Sequence, residues 1–191
     1  MFKLSTGAWE TLSVNDDFHS TKLERNLGQV FMNGDSHWVG HTNRFRGFLE
    51  YGEMVILLFH MCDEELRVMK LPNVLASLPP RPYSLVVFDG LLFLMRYNPI
   101  RNDPLVDYHL GQQYDGCCIW SMKEYGVIVS WTKQYTIDLR DWEWLGETLS
   151  FRNKNEILIV TKSKETFLYD LNTNRFVSLG IRKLYHLLLS S

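Results

Sequence analysis

The residues of this chain that could ligate a metal or carry a reaction are few and scattered. His37 and His41 have the i, i+4 spacing that chelates zinc on a helix. They fall in a strand-like stretch, where about 3.3 Å per residue puts them roughly 13 Å apart, too far to share an ion. His60 and Cys62 are i, i+2 and would share one strand face, yet two potential ligands do not make a site. Cys117 and Cys118 are adjacent, so on a strand they point to opposite faces and at least one is expected to be buried and inert. Asp63, Glu64 and Glu65 could be read as paired carboxylates, but on an exposed turn nothing separates their pKa values. No GxSxG elbow, P-loop or GxGxxG occurs, and Ser130 beside Trp131 has no surrounding motif. These residues therefore predict no catalytic group, no metal site and no cofactor. Binding is the expected mode of action, not catalysis.

Residues suited to a protein interface are easier to find. Trp142 and Trp144 sit in DWEWLGE, an acid-flanked connector, and Trp and Arg dominate binding hot spots. Arg96, Tyr97, Arg101 and Asp107 fall in Arg96–Gly116, a stretch with two prolines and little apolar pattern that reads as a long surface loop. These six are the candidate partner-binding residues. Trp9, Trp38, Trp120 and Trp131 lie in strand-like stretches and are expected in the core.

The composition narrows the classes further. A net charge of −2 over 191 residues gives no electrostatic footprint for nucleic acid. The longest apolar runs, Met54–Phe59 and Leu91–Met95, are strand-length and far short of the roughly 20 residues that span a bilayer. The start, MFKLSTGAW, lacks a signal-type hydrophobic region, so export is not expected. Three cysteines make a disulfide framework improbable, and a reducing compartment, cytoplasm or nucleus, fits best.

The elements that must position these residues read as β throughout. Phe2–Leu12 is a hairpin turning at Ser5–Gly7, and Ser13–Leu27 is a polar loop. Val30–Gly40 is strand, Asn-Gly turn, strand. Gly47–Met61 is a strand region, Cys62–Glu65 its turn, and Leu66–Leu71 alternates apolar and basic before Pro72. Asn73–Pro82 is a proline connector that cannot be a central strand. Ser84–Phe88 and Leu91–Met95 form a hairpin around Asp89-Gly90. Ile119–Ile137 is the central hairpin, with Lys123–Gly126 as reversal and Val127, Ile128, Val129, Trp131, Tyr135 and Ile137 carrying the outgoing strand. Leu149–Phe151, Ile157–Val160, Thr166–Leu171 and Arg175–Leu179 follow as strands, Leu184–Leu189 being strand or short helix. No convincing longer helix is found. The central large residue of the post-turn strand is Trp9, then Leu66, Trp131 and Phe176, at intervals of roughly 45 to 65 residues. Such a period with four strands per repeat is the signature of propeller blades. The fold expected for residues 1–191 is a single all-β domain: a partial kelch-like propeller of about three and a half blades of antiparallel four-stranded sheets.

IWSMKEYGVIVSWTKQYTI, residues 119–137, resembles the plant F-box-associated (kelch-like) domain, where a W-x-hydrophobic-K-x-Y-G-V-x-x-S-W-T-K segment recurs. Leu4–Trp9, Phe31–Trp38, Glu65–Pro72 and Phe167–Leu171 with Phe176 match the same family in the same order, covering residues 1 to about 181. The resemblance implies the substrate-recognition part of an SCF-type ubiquitin ligase, which directs bound proteins to ubiquitination performed by other subunits. Some members of that family are S-locus F-box proteins of pollen self-incompatibility, and on that branch the target would be a ribonuclease. The family's F-box and first half-propeller have no counterpart in this sequence, so a Skp-type adaptor would not dock by the family's route. Two competing classes are a carbohydrate-binding or hydrolytic propeller, which would converge carboxylates and exposed Trp on one pocket, and a truncated, non-functional remnant.

Overall fold

The computed structural model describes residues 2–3, 7–9, 21–23, 29–42, 45–46, 49–50, 52–76, 83–99, 114–138, 145–161 and 165–182. The chain divides into two compact units, Met1–Leu94 with Ser121–Thr132, and Met95–Trp120 with Lys133–Ser191. Among the described residues the secondary structure is β, apart from one helical turn, Asn73–Ala76, and a 3-10 turn, Ile128–Ser130.

In the first unit, β1 (Phe2–Lys3) pairs antiparallel with β2 (Ala8–Trp9), the hairpin that the sequence predicts. A larger sheet follows from β3 (Thr21–Leu23), β4 (Val30–Met32), β5 (Asp35–Thr42), β8 (Met54–His60) and β9 (Glu65–Lys70). Its order is β3-β5-β8-β9, with β4 also paired to β5. A small antiparallel hairpin, β6 (Phe45–Arg46) with β7 (Leu49–Glu50), lies between β5 and β8 in sequence. β3 corrects the reading of 13–27 as wholly loop: Thr21, Lys22 and Leu23 pair with Thr42, His41 and Gly40.

Met54–Leu58 is buried at every position, which is why it reads as an uninterrupted apolar run: β8 has both faces covered. The pairing registers sort its neighbours onto those faces. Asp35, His37 and Val39 share one face with His60, Leu58 and Ile56 and with Glu65, Arg67 and Met69. The Asn33-Gly34 reversal has φ of 53° and 85°, left-handed values that asparagine and glycine tolerate. Asp89-Gly90 repeats it at 50° and 71°.

The next four strands are β10 (Tyr83–Phe88), β11 (Leu91–Pro99), β12 (Tyr114–Met122) and β13 (Trp131–Asp138), hydrogen-bonded in that order. Two sequence expectations change here. Arg96–Pro99 continues a strand, and the next strand begins at Tyr114, so both ends of the expected loop are regular β. Val127–Ser130 is not strand: after Gly126 (φ 80°) the chain makes the 3-10 turn, and the outgoing strand starts at Trp131. Trp131 is buried, whereas Trp38 and Trp120 are half-buried.

The second unit holds β14 (Leu145–Asn153), β15 (Glu156–Thr161), β16 (Glu165–Asp170) and β17 (Arg175–Arg182), an antiparallel meander in sequence order. Phe151, Ile157 and Tyr169 lie opposite one another on one buried face. Tyr169 continues it to Phe176, whose ring centroid is 4.4 Å away. Asp170 closes the following turn by accepting the backbone N–H groups of Asn172 and Thr173, which holds its carboxyl below the usual range. At the sheet's edge β17 carries a bulge where Gly180 has φ of 66°. Leu66, Trp131 and Phe176 all fall at the first or second position of the last strand of a four-strand path, so the repeat legible in the sequence has a counterpart in the sheets.

Candidate functional site

The most concentrated chemistry among the described residues is a buried polar group at one end of the first unit's sheet. Alternation on β5 puts Asp35 and His37 on the same face, and both are buried. Tyr125, from the connector that follows β12, lies against them. Its hydroxyl donates to Asp35 Oδ2 at 2.6 Å and lies 2.7 Å from His37 Nε2. The two rings meet edge to face, with centroids 5.7 Å apart. Since the phenol has one proton and gives it to the carboxylate, His37 Nε2 carries the proton that bridges to the phenol oxygen. His37 Nδ1 and Asp35 Oδ1 are both buried without a hydrogen-bond partner.

Burial sets the electrostatics. It pushes the His37 pKa down, against the opposing pull of Asp35. It also raises the Tyr125 pKa, helped by the hydrogen bond to Asp35. At neutral pH both are uncharged; His37 is fully buried, Tyr125 half-buried. The arrangement is suited to holding the connector in place, and a solute has no access to His37, which is 0% exposed.

What Tyr125 holds is a short, internally braced connector, Lys123–Ser130. Ser130 Oγ donates to the Glu124 carbonyl at 2.9 Å and accepts the Glu124 N–H at 3.1 Å. Backbone bonds run from Lys123 N–H to the Ser130 carbonyl, from Val127 N–H to the Glu124 carbonyl and from Ser130 N–H to the Val127 carbonyl. The tip presents apolar side chains outward: Val129 is 91% exposed and Ile128 is exposed beside it. At the Asp35 end of the sheet is the turn Met61–Glu64, because Asp35 is in register with His60 and Met61 N–H bonds to the Gly34 carbonyl. There Arg67 reaches Glu65 at 2.7 Å and Asp63 at 3.2 Å, Asp63 also lies 2.9 Å from His60 Nδ1, and Met61 is exposed.

The candidate binding residues of the sequence are distributed differently. Tyr97 is buried on β11 and contributes to the core; Arg96, its neighbour, is half-buried with its Nε enclosed and without a hydrogen-bond partner. Arg101, Asp107, Trp142 and Trp144 lie outside the described residues. Among the possible ligands, His37 is committed to Tyr125, and Cys62 is exposed in a turn, not on the strand with His60. Cys117 and Cys118 are free thiols, both buried, and burial raises the pKa of Cys117 strongly. Reading the sequence missed the Asp35–Tyr125–His37 group altogether. Its one local signal is a polar pair at i, i+2 inside a buried strand.

No family model matches the chain, and no solved structure resembles it significantly. Among curated proteins it is similar to the F-box protein CPR1 of Arabidopsis thaliana, 23% identical over 194 residues. The similarity takes in 95% of this chain and 43% of the relative, so the chain spans less than half the length of the protein it matches.

Proposed function

We propose that this chain is a protein-recognition module of the kind carried by the F-box subunits of SCF-type ubiquitin ligases. The observation that carries the reading is the similarity to an F-box protein along nearly the whole chain. Three consecutive four-strand paths, each ending in a strand with a large apolar residue at its first or second position, support it further. In this reading the sheets are blades of a kelch-like propeller, and connectors at one end of the blades grip a target protein. The chain acts by binding, not by catalysis: ubiquitin is transferred by partner subunits, and a Skp-type adaptor is engaged through an F-box.

The test is affinity purification of the tagged chain from plant extract with mass spectrometry, scoring a Skp-type adaptor explicitly, followed by direct binding between purified proteins. The expected result is one reproducibly enriched protein that binds the purified chain directly and is more stable in plants lacking the gene. If no enriched protein binds directly, or its half-life is the same without the gene, the reading fails.

A further inference from the structure

The strands β9, β13 and β17 end the three four-strand paths, and among the described residues each pairs with a neighbour on one side only. The exposed side chains of β9 are Arg67 and Lys70, and those of β13 are Thr132, Lys133, Thr136 and Asp138, every one polar or charged. β17 differs: Val177 and Ile181 are each 58% exposed, and Leu179 is exposed between them. Bare aliphatic side chains are therefore no general property of the outer strands here, and charge is the usual means of keeping such an edge from pairing. The register with β16 sets Arg175, Val177 and Ile181 opposite Asp170, Leu168 and Thr166, so all three line one face across the bulge at Gly180. Both charges on the strand are positive. Arg182 is engaged by Glu165 at 2.8 Å, whereas Arg175 is exposed and makes no ion pair among the described residues. Asp170, directly across from Arg175, has its Oδ1 turned to the N–H groups of Asn172 and Thr173.

We propose that the outer edge of β17 takes up an extended segment of a partner protein as an added strand, with a carboxylate of the segment against Arg175 and its alternate aliphatic side chains against Val177 and Ile181. The chemistry of the edge selects this occupant. An outward row of backbone N–H and C=O groups is matched by another extended backbone, and in strand addition the main-chain hydrogen bonds supply affinity while alternate side chains supply specificity. The unpaired guanidinium of Arg175 is matched by a carboxylate, since opposite charges facing each other across a strand pair stabilise it. The regular stretch before the bulge runs from Arg175 to Ser178, so a short segment suffices. A second copy of β17 fits less well, because it brings two further arginines and no acid. The proposal rests on the protein-recognition reading and adds a strand edge to the connectors as a place where a partner is held.

The probe is a labelled, end-capped peptide in which Val and Thr alternate behind a single Glu, titrated with the full chain and followed by fluorescence anisotropy. One control peptide carries Lys in place of Glu, and another is N-methylated along its backbone, which blocks strand pairing and leaves the side chains. The expected result is binding of the Glu peptide, none of the N-methylated one, and a loss of about tenfold in Val177→Asp. Arg175→Glu is expected to reverse the preference between the Glu and Lys peptides, a gain that a misfolded variant does not give. Val129→Glu, at an exposed apolar position of the first unit, is expected to leave binding unchanged. Failure of the Glu peptide to bind, equal binding of the N-methylated peptide, indifference to Val177→Asp, an unchanged preference in Arg175→Glu, or an equal loss in Val129→Glu would each overturn the proposal. Sedimentation showing Val177-dependent dimers would overturn it too, by making the occupant a second copy. If a target protein found by affinity purification binds Val177→Asp as tightly as the parent chain, this edge is wrong and the recognition reading stands. If no enriched protein binds directly, it is the recognition reading that fails.

Discussion

Replacing Tyr125 by phenylalanine removes one oxygen and leaves the ring, which isolates what the buried hydrogen bonds contribute. The phenol donates to a carboxylate at 2.6 Å and bridges to His37 at 2.7 Å. A hydrogen bond to a charged group contributes about 1.5–3 kcal/mol and a neutral one about 1 kcal/mol. The larger part of the loss comes from Asp35, whose Oδ1 already lacks a partner and whose Oδ2 would now lack one as well. Together these give a destabilisation of about 3 kcal/mol, which for a chain of this size lowers the melting temperature by roughly 6–12 °C. Urea unfolding followed by near-UV circular dichroism and by tryptophan fluorescence measures it directly. The reference variant is Tyr135→Phe, whose hydroxyl makes a single 3.2 Å bond to the Lys154 carbonyl at an exposed site. That bond is expected to contribute under about 1 kcal/mol. If Tyr125→Phe falls within about 0.5 kcal/mol of the parent chain, or matches Tyr135→Phe, then Asp35, Tyr125 and His37 do not hold the connector as argued.

Two further outcomes can be checked on the same protein. His37 has its pKa lowered by burial, so below the ordinary value of 6.5 the unfolded chain binds a proton that the folded chain resists. Stability is therefore full above pH 6.5 and falls as pH drops from 6.5 towards the lowered folded value, and urea midpoints across that window should lose part of their slope in His37→Gln. Of the three thiols only Cys62 is exposed, so a thiol reagent should modify one cysteine rapidly in the native protein and all three in denaturant; rapid native reaction of two would contradict the buried positions of Cys117 and Cys118.

The strand and turn skeleton was legible wherever local chemistry decides geometry. Asn33-Gly34 and Asp89-Gly90 sit at left-handed φ because few other residue pairs accept it, and both mark hairpins in the sequence as in the structure. The run Val127-Ile128-Val129 misleads, because β-branched residues favour strands, yet here hydrogen bonds between Ser130 and Glu124 close a turn under them. At Arg96–Pro99 the composition suggests a loop, while the alternation of buried Met95 and Tyr97 with half-buried Arg96 and Asn98 is that of a strand. The Asp35–Tyr125 contact joins residues 90 positions apart, and no local pattern encodes a pairing set by the tertiary fold. Thr21–Leu23 is strand for the same reason: its partner, β5, lies well downstream.

The outer strand β17 leaves Val177, Leu179 and Ile181 exposed along a hydrogen-bonding edge, which is the composition of an aggregation nucleus. Two features limit that hazard. Arg175 and Arg182 stand at the two ends of the strand, so antiparallel pairing with a second copy in register would bring arginine against arginine. The bulge at Gly180 interrupts the edge, so an added strand would find an unbroken ladder only from Arg175 to Ser178. Replacing Gly180 with a β-branched residue, alongside neutral residues at 175 and 182, is therefore expected to extend the regular ladder of this edge and to promote strand addition by a second copy.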